Sequence, residues 1–263
     1  MNALFIGYGR MGSAIGEAWL AARLVDSLSA VDPHLQSSSS ASLYPSLDAV
    51  PARPFDIILV AVKPTYACEV LAALPDVLCE GAVVISVAAG VTVSNLSQAL
   101  RQRCPVVRAM PNTPVLVGAG CTGLYADAAL GDTRRELITR LFAAVGLASW
   151  VDREELLDAV TAISGSGPAY YHLFSEALSA AGVALGLSPE LANALAAQTA
   201  FGAASLQTQP GADFVALRTA VTSPNGTTAS AIATFEQDQA LRHLVEAAAR
   251  AAHRRSQELS QGV

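Results

Sequence analysis

Apolar and polar positions follow two different rhythms along this chain, and the change falls near residue 150. Before it, short apolar runs recur at 3–6, 29–31, 57–62, 83–87 and 106–107, each closed by glycine, proline or a polar turn. Continuous runs of this length predict strands buried on both faces. Between them, apolar residues return every three or four positions at 12–24, 66–74, 93–101 and 133–145, which predicts helices. In the first of these Ile15, Ala18, Trp19 and Ala22 share one face. Strands alternating with helices predict an α/β domain with a mainly parallel sheet covered on both sides.

From Glu154 onward no strand pattern is visible. The segments 154–163, 168–186, 189–207, 212–220, 228–236 and 239–259 all carry helical periodicity. Ser188-Pro189 is a helix start, with serine as cap and proline at the first helical position. The expected division is therefore an α/β domain over 1–152 and an all-α domain over 153–263. Leu191, Leu195, Phe201, Leu206 and Phe214 are more than a small helical domain buries alone. They predict a subunit interface and a homodimer.

Composition narrows the functional classes. Of 263 residues 52% are hydrophobic and 14% charged, enough for a sizeable core, and the net charge is −6. Without a basic cluster, nucleic acid and anionic membranes are not expected partners. The apolar stretches are too short to span a bilayer. Leu4-Phe-Ile6 runs into a glycine turn rather than a cleavage site, so no signal peptide and a cytoplasmic location are expected. Cys68, Cys79, Cys104 and Cys121 form no C-x-x-C pair and have no histidine at metal-ligand spacing. They read as reduced apolar fillers, with no metal site.

The first strand ends in Gly7-Tyr-Gly9-Arg10-Met11-Gly12, a G-x-G-x-x-G pattern that opens a helix. In that context the glycines allow a tight turn and close approach of a pyrophosphate, so the first domain reads as a Rossmann-type dinucleotide-binding domain. Asp32, 20 residues past Gly12, suits an adenosine ribose and opposes a 2′-phosphate, which leans the cofactor toward NADH within NAD(P)H. It equally suits a turn before Pro33. Arg10, His34 and the hydroxyls of Ser37 to Ser40, read as a solvated loop, could still take a phosphate. Val62, Lys63 and Pro64, then Ala88, then Asn112 stand at further strand ends, where such cofactors lie. Lys63 is the chain's single lysine and reads equally as an exposed loop residue. Asn112 could face the nicotinamide carboxamide or serve a turn between its two prolines.

A second chemical feature lies far along the chain. Val221-Thr-Ser-Pro-Asn-Gly-Thr-Thr228 places four hydroxyls in eight uncharged residues, directly before a predicted helix. The unpaired N–H groups of a helix start bind anions, so Ser223, Gly226, Thr227 and Thr228 are candidates to hold a small carboxylate or phosphate. An ordinary capped turn is the plainer reading of that stretch taken alone.

Together with Ser164-Gly-Ser-Gly-Pro-Ala-Tyr170, Arg108-Ala-Met-Pro-Asn-Thr-Pro114 and Ala61-Val-Lys-Pro64, these motifs stand in one order. The chain resembles the pyrroline-5-carboxylate reductase family, essentially end to end. One departure is Asn225, where the family usually carries a glycine before Gly226. The resemblance implies reduction of the cyclic imine Δ1-pyrroline-5-carboxylate to proline, the last step of proline biosynthesis. It implies the carboxylate on Ser223, Gly226, Thr227 and Thr228, and a catalytic Thr228 near the ring nitrogen. It also implies a homodimer from which larger rings are built. Two other readings remain: a β-hydroxyacid dehydrogenase-like enzyme, which relies on a lysine that the helical half lacks, and a non-catalytic nucleotide-sensing module.

Overall fold

The structure, a computed structural model, describes residues 1–34, 37–38 and 40–261. Its elements run β1 (Asn2–Ile6), α1 (Arg10–Ala21), β2 (Ser27–Val31), β3 (Ser42–Tyr44), β4 (Ile57–Val60), α2 (Pro64–Ala72), α3 (Asp76–Cys79), β5 (Val83–Ser86), α4 (Val93–Ala99), β6 (Val106–Met110), β7 (Gly120–Tyr125), α5 (Asp132–Ala143), β8 (Gly146–Trp150), α6 (Leu156–Val160), α7 (Gly167–Ala184), α8 (Pro189–Gln207), α9 (Phe214–Ala220), α10 (Thr227–Glu236) and α11 (Ala240–Gln261). By contacts the chain divides into two compact units, Met1–Ser166 with Ala252–Val263, and Gly167–Ala251.

The first unit holds one sheet ordered β3-β2-β1-β4-β5-β6-β7-β8. All pairs are parallel except β6 with β7. The predicted strands recur with shifts of a residue or a few at their ends; β3, β7 and β8 are additions. Because side chains alternate along a strand, the sheet divides its own apolar residues between two cores. Phe5, Leu59 and Ile85 pack with α1 and α5 through Ile15, Trp19, Ile138 and Phe142. Leu4, Ile58 and Val84 pack on the opposite side with Leu71, Leu78 and Leu96. Trp19 is fully buried with its ring edge-on to Phe5 (5.3 Å between centroids) and Phe142 (6.0 Å). The other tryptophan, Trp150, lies under Arg135 at 4.6 Å and donates to Thr139 Oγ1 at 2.8 Å.

The second unit consists of helices, and among the described residues no strand follows β8. Ser188 caps α8 by accepting from Leu191 N–H, with Pro189 in its first turn. Asp213 caps α9 in the same way through Ala216 N–H. Many apolar side chains stay exposed on these helices, including Tyr171, Leu173, Phe201, Phe214 and Leu244. Among the described residues no helix is long and apolar enough to cross a membrane.

Candidate active site

The glycine turn is built by crowding on one side and space on the other. Gly7 N–H donates to Val31 O at 2.8 Å, and its φ of +87° belongs to glycine. A Cβ there would lie 2.6 Å from Ala61 O, and one on Gly12 would lie 2.5 Å from Gly7 O. The turn is therefore pressed between the end of β4 and the start of α1. Gly9 is the opposite case, since a Cβ there would meet nothing within 4 Å. It stands at the N-terminus of α1, which no side chain caps and whose first turn carries no acid. Uncapped N–H groups facing open space fit a pyrophosphate. Arg10 is exposed at this rim, and Met11 is half-buried against the core.

Asp32 follows β2 and ties the turn in place. Its Oδ2 accepts Tyr8 N–H and its Oδ1 accepts His34 N–H, each at 3.0 Å. These two bonds show Asp32 serving the turn, and they leave acceptor positions on a carboxylate that has about four. Burial raises the pKa of Tyr8, whose hydroxyl lies 3.4 Å from Ser40 Oγ. In the serine run, Ser38 Oγ accepts Ser40 N–H and Ala41 N–H. Ser39 lies outside the described residues.

The other predicted positions gather at the same edge of the sheet. Val62 is half-buried, Lys63 is exposed at the start of α2, and Pro64 occupies that helix's first turn. Ala88 is buried, and its N–H donates to Ser86 Oγ at 3.2 Å. Asn112 is engaged at both ends of its amide, with Oδ1 accepting Cys121 N–H at 2.8 Å and Nδ2 donating to Ser164 O at 2.9 Å. Ser164 belongs to a π-helical turn, Thr161–Gly165, that interrupts the helix after α6. Such turns loosen the carbonyl ladder, and here Asn112 takes up the Ser164 carbonyl.

The sequence pattern does not predict the ion pair between buried Arg108 and half-buried Glu154. Arg108 Nη1 lies 3.1 Å from Glu154 Oε1, which also accepts Val93 N–H at 2.8 Å and so caps α4. An arginine inside an otherwise apolar strand was the available signal.

In the helical unit, Ser223-Pro-Asn-Gly226 forms a turn closed by Gly226 N–H to Ser223 O at 3.0 Å. Proline second and a left-handed residue third suit a type II turn, and Asn225 has φ +59°. The glycine that the resemblance leads one to expect here would meet the same backbone demand. Gly226 itself has an ordinary φ of −82°, but a Cβ would lie 2.4 Å from Ser223 Oγ. Glycine thus leaves room for that hydroxyl beside the start of α10. Thr227 and Thr228 open α10, which no side chain caps and whose first turn holds no acid. At the far end of α10, Glu236 accepts from Arg242 Nε (2.8 Å) and Nη2 (2.6 Å) and from Arg218 Nη1 (3.1 Å). The hydrogen bond from Arg242 first, and then the charges of both arginines, hold the Glu236 carboxyl below its ordinary pKa. Among the described residues no cluster of His, Cys, Asp or Glu could hold a metal ion.

Comparison with known proteins decides the family. The chain is 40% identical over 263 residues to a pyrroline-5-carboxylate reductase of Pseudomonas aeruginosa, covering 98% of this chain and 96% of that one. This chain belongs to the pyrroline-5-carboxylate reductase family. The reductase of Mycobacterium tuberculosis is 39% identical over 281 residues, covering 98% of this chain and 92% of the relative. A family model for pyrroline-5-carboxylate reductase dimerisation matches residues 154–259, and one for F420-dependent NADP oxidoreductases matches 3–90. The solved Coxiella burnetii reductase superposes with a TM-score of 0.89 at 34% identity, covering 98% of both chains. The Plasmodium falciparum enzyme, solved with NADP bound, gives 0.85 at 30% identity, covering 99% of this chain and 98% of that one. In this member of the pyrroline-5-carboxylate reductases, the exposed apolar residues of α7, α8, α9 and α11 fall inside the dimerisation match.

Proposed function

We propose that this protein reduces Δ1-pyrroline-5-carboxylate to proline with a nicotinamide dinucleotide, as a homo-oligomer. The observation that carries this reading is the start of α10, an uncapped, acid-free helix N-terminus behind the Ser223–Gly226 turn. The N–H groups of Thr227 and Thr228 and the hydroxyl of Ser223 are what a small carboxylate requires. Each hydrogen bond to a charged group contributes about 1.5–3 kcal/mol, and a helix N-terminus about 0.3–1 kcal/mol. Two or three such contacts account for micromolar-to-millimolar binding after ordering costs.

Thr228 is neutral and does not protonate an imine, so the substrate arrives as the iminium and Thr228 accepts a hydrogen bond from the ring N–H, directly or through water. A nicotinamide cofactor, when bound, would supply the hydride that turns the iminium carbon and nitrogen into a secondary amine. The chain's part is orientation of the acceptor carbon. Gly7, Gly9, Gly12 and the start of α1 hold the pyrophosphate, and Asp32 meets the ribose.

Asp32 favours NADH, because a 2′-phosphate would bring its negative charge beside a carboxylate. The assembly is read as a homodimer through residues 154–259, the unit from which a larger ring is made. Steady-state kinetics with pyrroline-5-carboxylate and each cofactor test the proposal. Turnover with a higher kcat/KM for NADH is expected. Turnover with NADPH preferred overturns the role of Asp32, and binding of either cofactor without turnover overturns the activity.

A further inference from the structure

Three contacts brace the short loop between β5 and α4. At its start Ser86 Oγ accepts Ala88 N–H at 3.2 Å. At its end Glu154 accepts Val93 N–H at 2.8 Å while paired with Arg108. The third brace comes from the last turns of α11. Gly90 has φ +78°, and a Cβ there would lie 3.2 Å from the carbonyl carbon and oxygen of Leu259. The loop therefore bends tightly against the backbone of α11, at a position where glycine is needed twice over.

Those last turns are themselves fastened. Ser256 Oγ donates to Asp158 Oδ1 at 2.6 Å, joining residues 98 apart in sequence. Ser256 and Asp158 are 7% and 8% exposed. Ser256 and Leu259 are three apart, so they share one face of α11. Asp158 stands four residues after Glu154, so one short segment secures two of the three braces, one through Glu154 directly and one through Ser256. By contacts, residues from Ala252 onward group with the sheet unit.

We infer that Ser256 is a positioning residue for the dinucleotide. By fastening the end of α11 to Asp158, it fixes Ala88–Gly90 at the carboxyl edge of the sheet, where a dinucleotide lies in an open α/β fold. This rests on the cofactor reading proposed above.

The test is direct titration of the full-length enzyme with NADH and NADPH, read by cofactor fluorescence. Ser256→Ala should raise both dissociation constants about 5- to 20-fold, from one lost bond to a charged group partly relayed to the loop. The KM for cofactor should rise with them, while kcat and the KM for pyrroline-5-carboxylate stay within about twofold. Asp158→Asn keeps an oxygen for the hydroxyl and should hold wild-type affinity within about threefold. Unchanged affinity in Ser256→Ala sinks the inference, and so does an Asp158→Asn variant as weak as Ser256→Ala. Should Ser256→Ala not fold, amide exchange on the wild type decides. NADH should slow residues 88–93 and 254–260 together, and slowing of the loop alone refutes the coupling. A wild type that binds cofactor but reduces no pyrroline-5-carboxylate would remove the proposed activity and leave this comparison standing.

Discussion

Two glycines two residues apart separate folding from cofactor binding. At Gly7, alanine would adopt φ +87° and push a methyl to 2.6 Å from Ala61 O. Left-handed strain of about 1–2 kcal/mol plus overpacking of about 1–3 kcal/mol gives a loss of roughly 2–5 kcal/mol. At about 2–4 °C per kcal/mol for a chain of this size class, Tm falls by about 5–20 °C. At Gly9, φ is −69° and no atom lies within 4 Å of an added Cβ. Gly9→Ala should therefore change stability by no more than about 0.5–1 kcal/mol, through the unfolded chain. On the proposed cofactor reading, its methyl would enter the open space assigned to the pyrophosphate. Displacing that group enough to break one charged hydrogen bond weakens the cofactor about 10- to 150-fold. Thermal unfolding without cofactor, at matched protein concentration, and a cofactor fluorescence titration measure the two effects. If Gly9→Ala melts as early as Gly7→Ala, or binds cofactor like the wild type, the assignment of this turn is wrong.

Asn112→Ala removes the partner of both Cys121 N–H and Ser164 O, so it should cost about 2–4 kcal/mol in denaturant unfolding; a midpoint unchanged from wild type would show that the bracket is not structural. Asn225→Gly should be near neutral, whereas Asn225→Val, β-branched at φ +59°, should cost about 1–3 kcal/mol and raise the KM for pyrroline-5-carboxylate. Equal KM values for the two variants would refute the turn's part in substrate binding. Thr228→Ala should lower turnover about 10- to 100-fold, and an unchanged kcat removes its proposed role.

The parallel core was legible because β1, β4 and β5 each hold three or four consecutive apolar residues. The missed strands lack that mark for identifiable reasons. β3 has three residues at a sheet edge, and β8 alternates half-buried and exposed positions at the other. β7 contains Gly120 and Gly123, which suggest a loop. Their cause is close packing instead, since a Cβ on Gly123 would lie 2.7 Å from Val160 and one on Gly120 would lie 2.3 Å from Val115. The helix starts and the turn at Asn225 were readable from local chemistry. The bracket at Asn112 was not, because its partners lie 9 and 52 residues away. The same holds for Ser256, whose serine looks ordinary until Asp158 is seen beside it.

Both indoles of the chain, at 19 and 150, belong to the sheet unit. Intrinsic emission excited at the red edge of the protein band therefore follows that unit alone and is blind to the helices beyond it. Far-ultraviolet circular dichroism weights those helices heavily. Overlaying the two signals during denaturation reveals whether the halves come apart in one step or in two, with no extrinsic dye required.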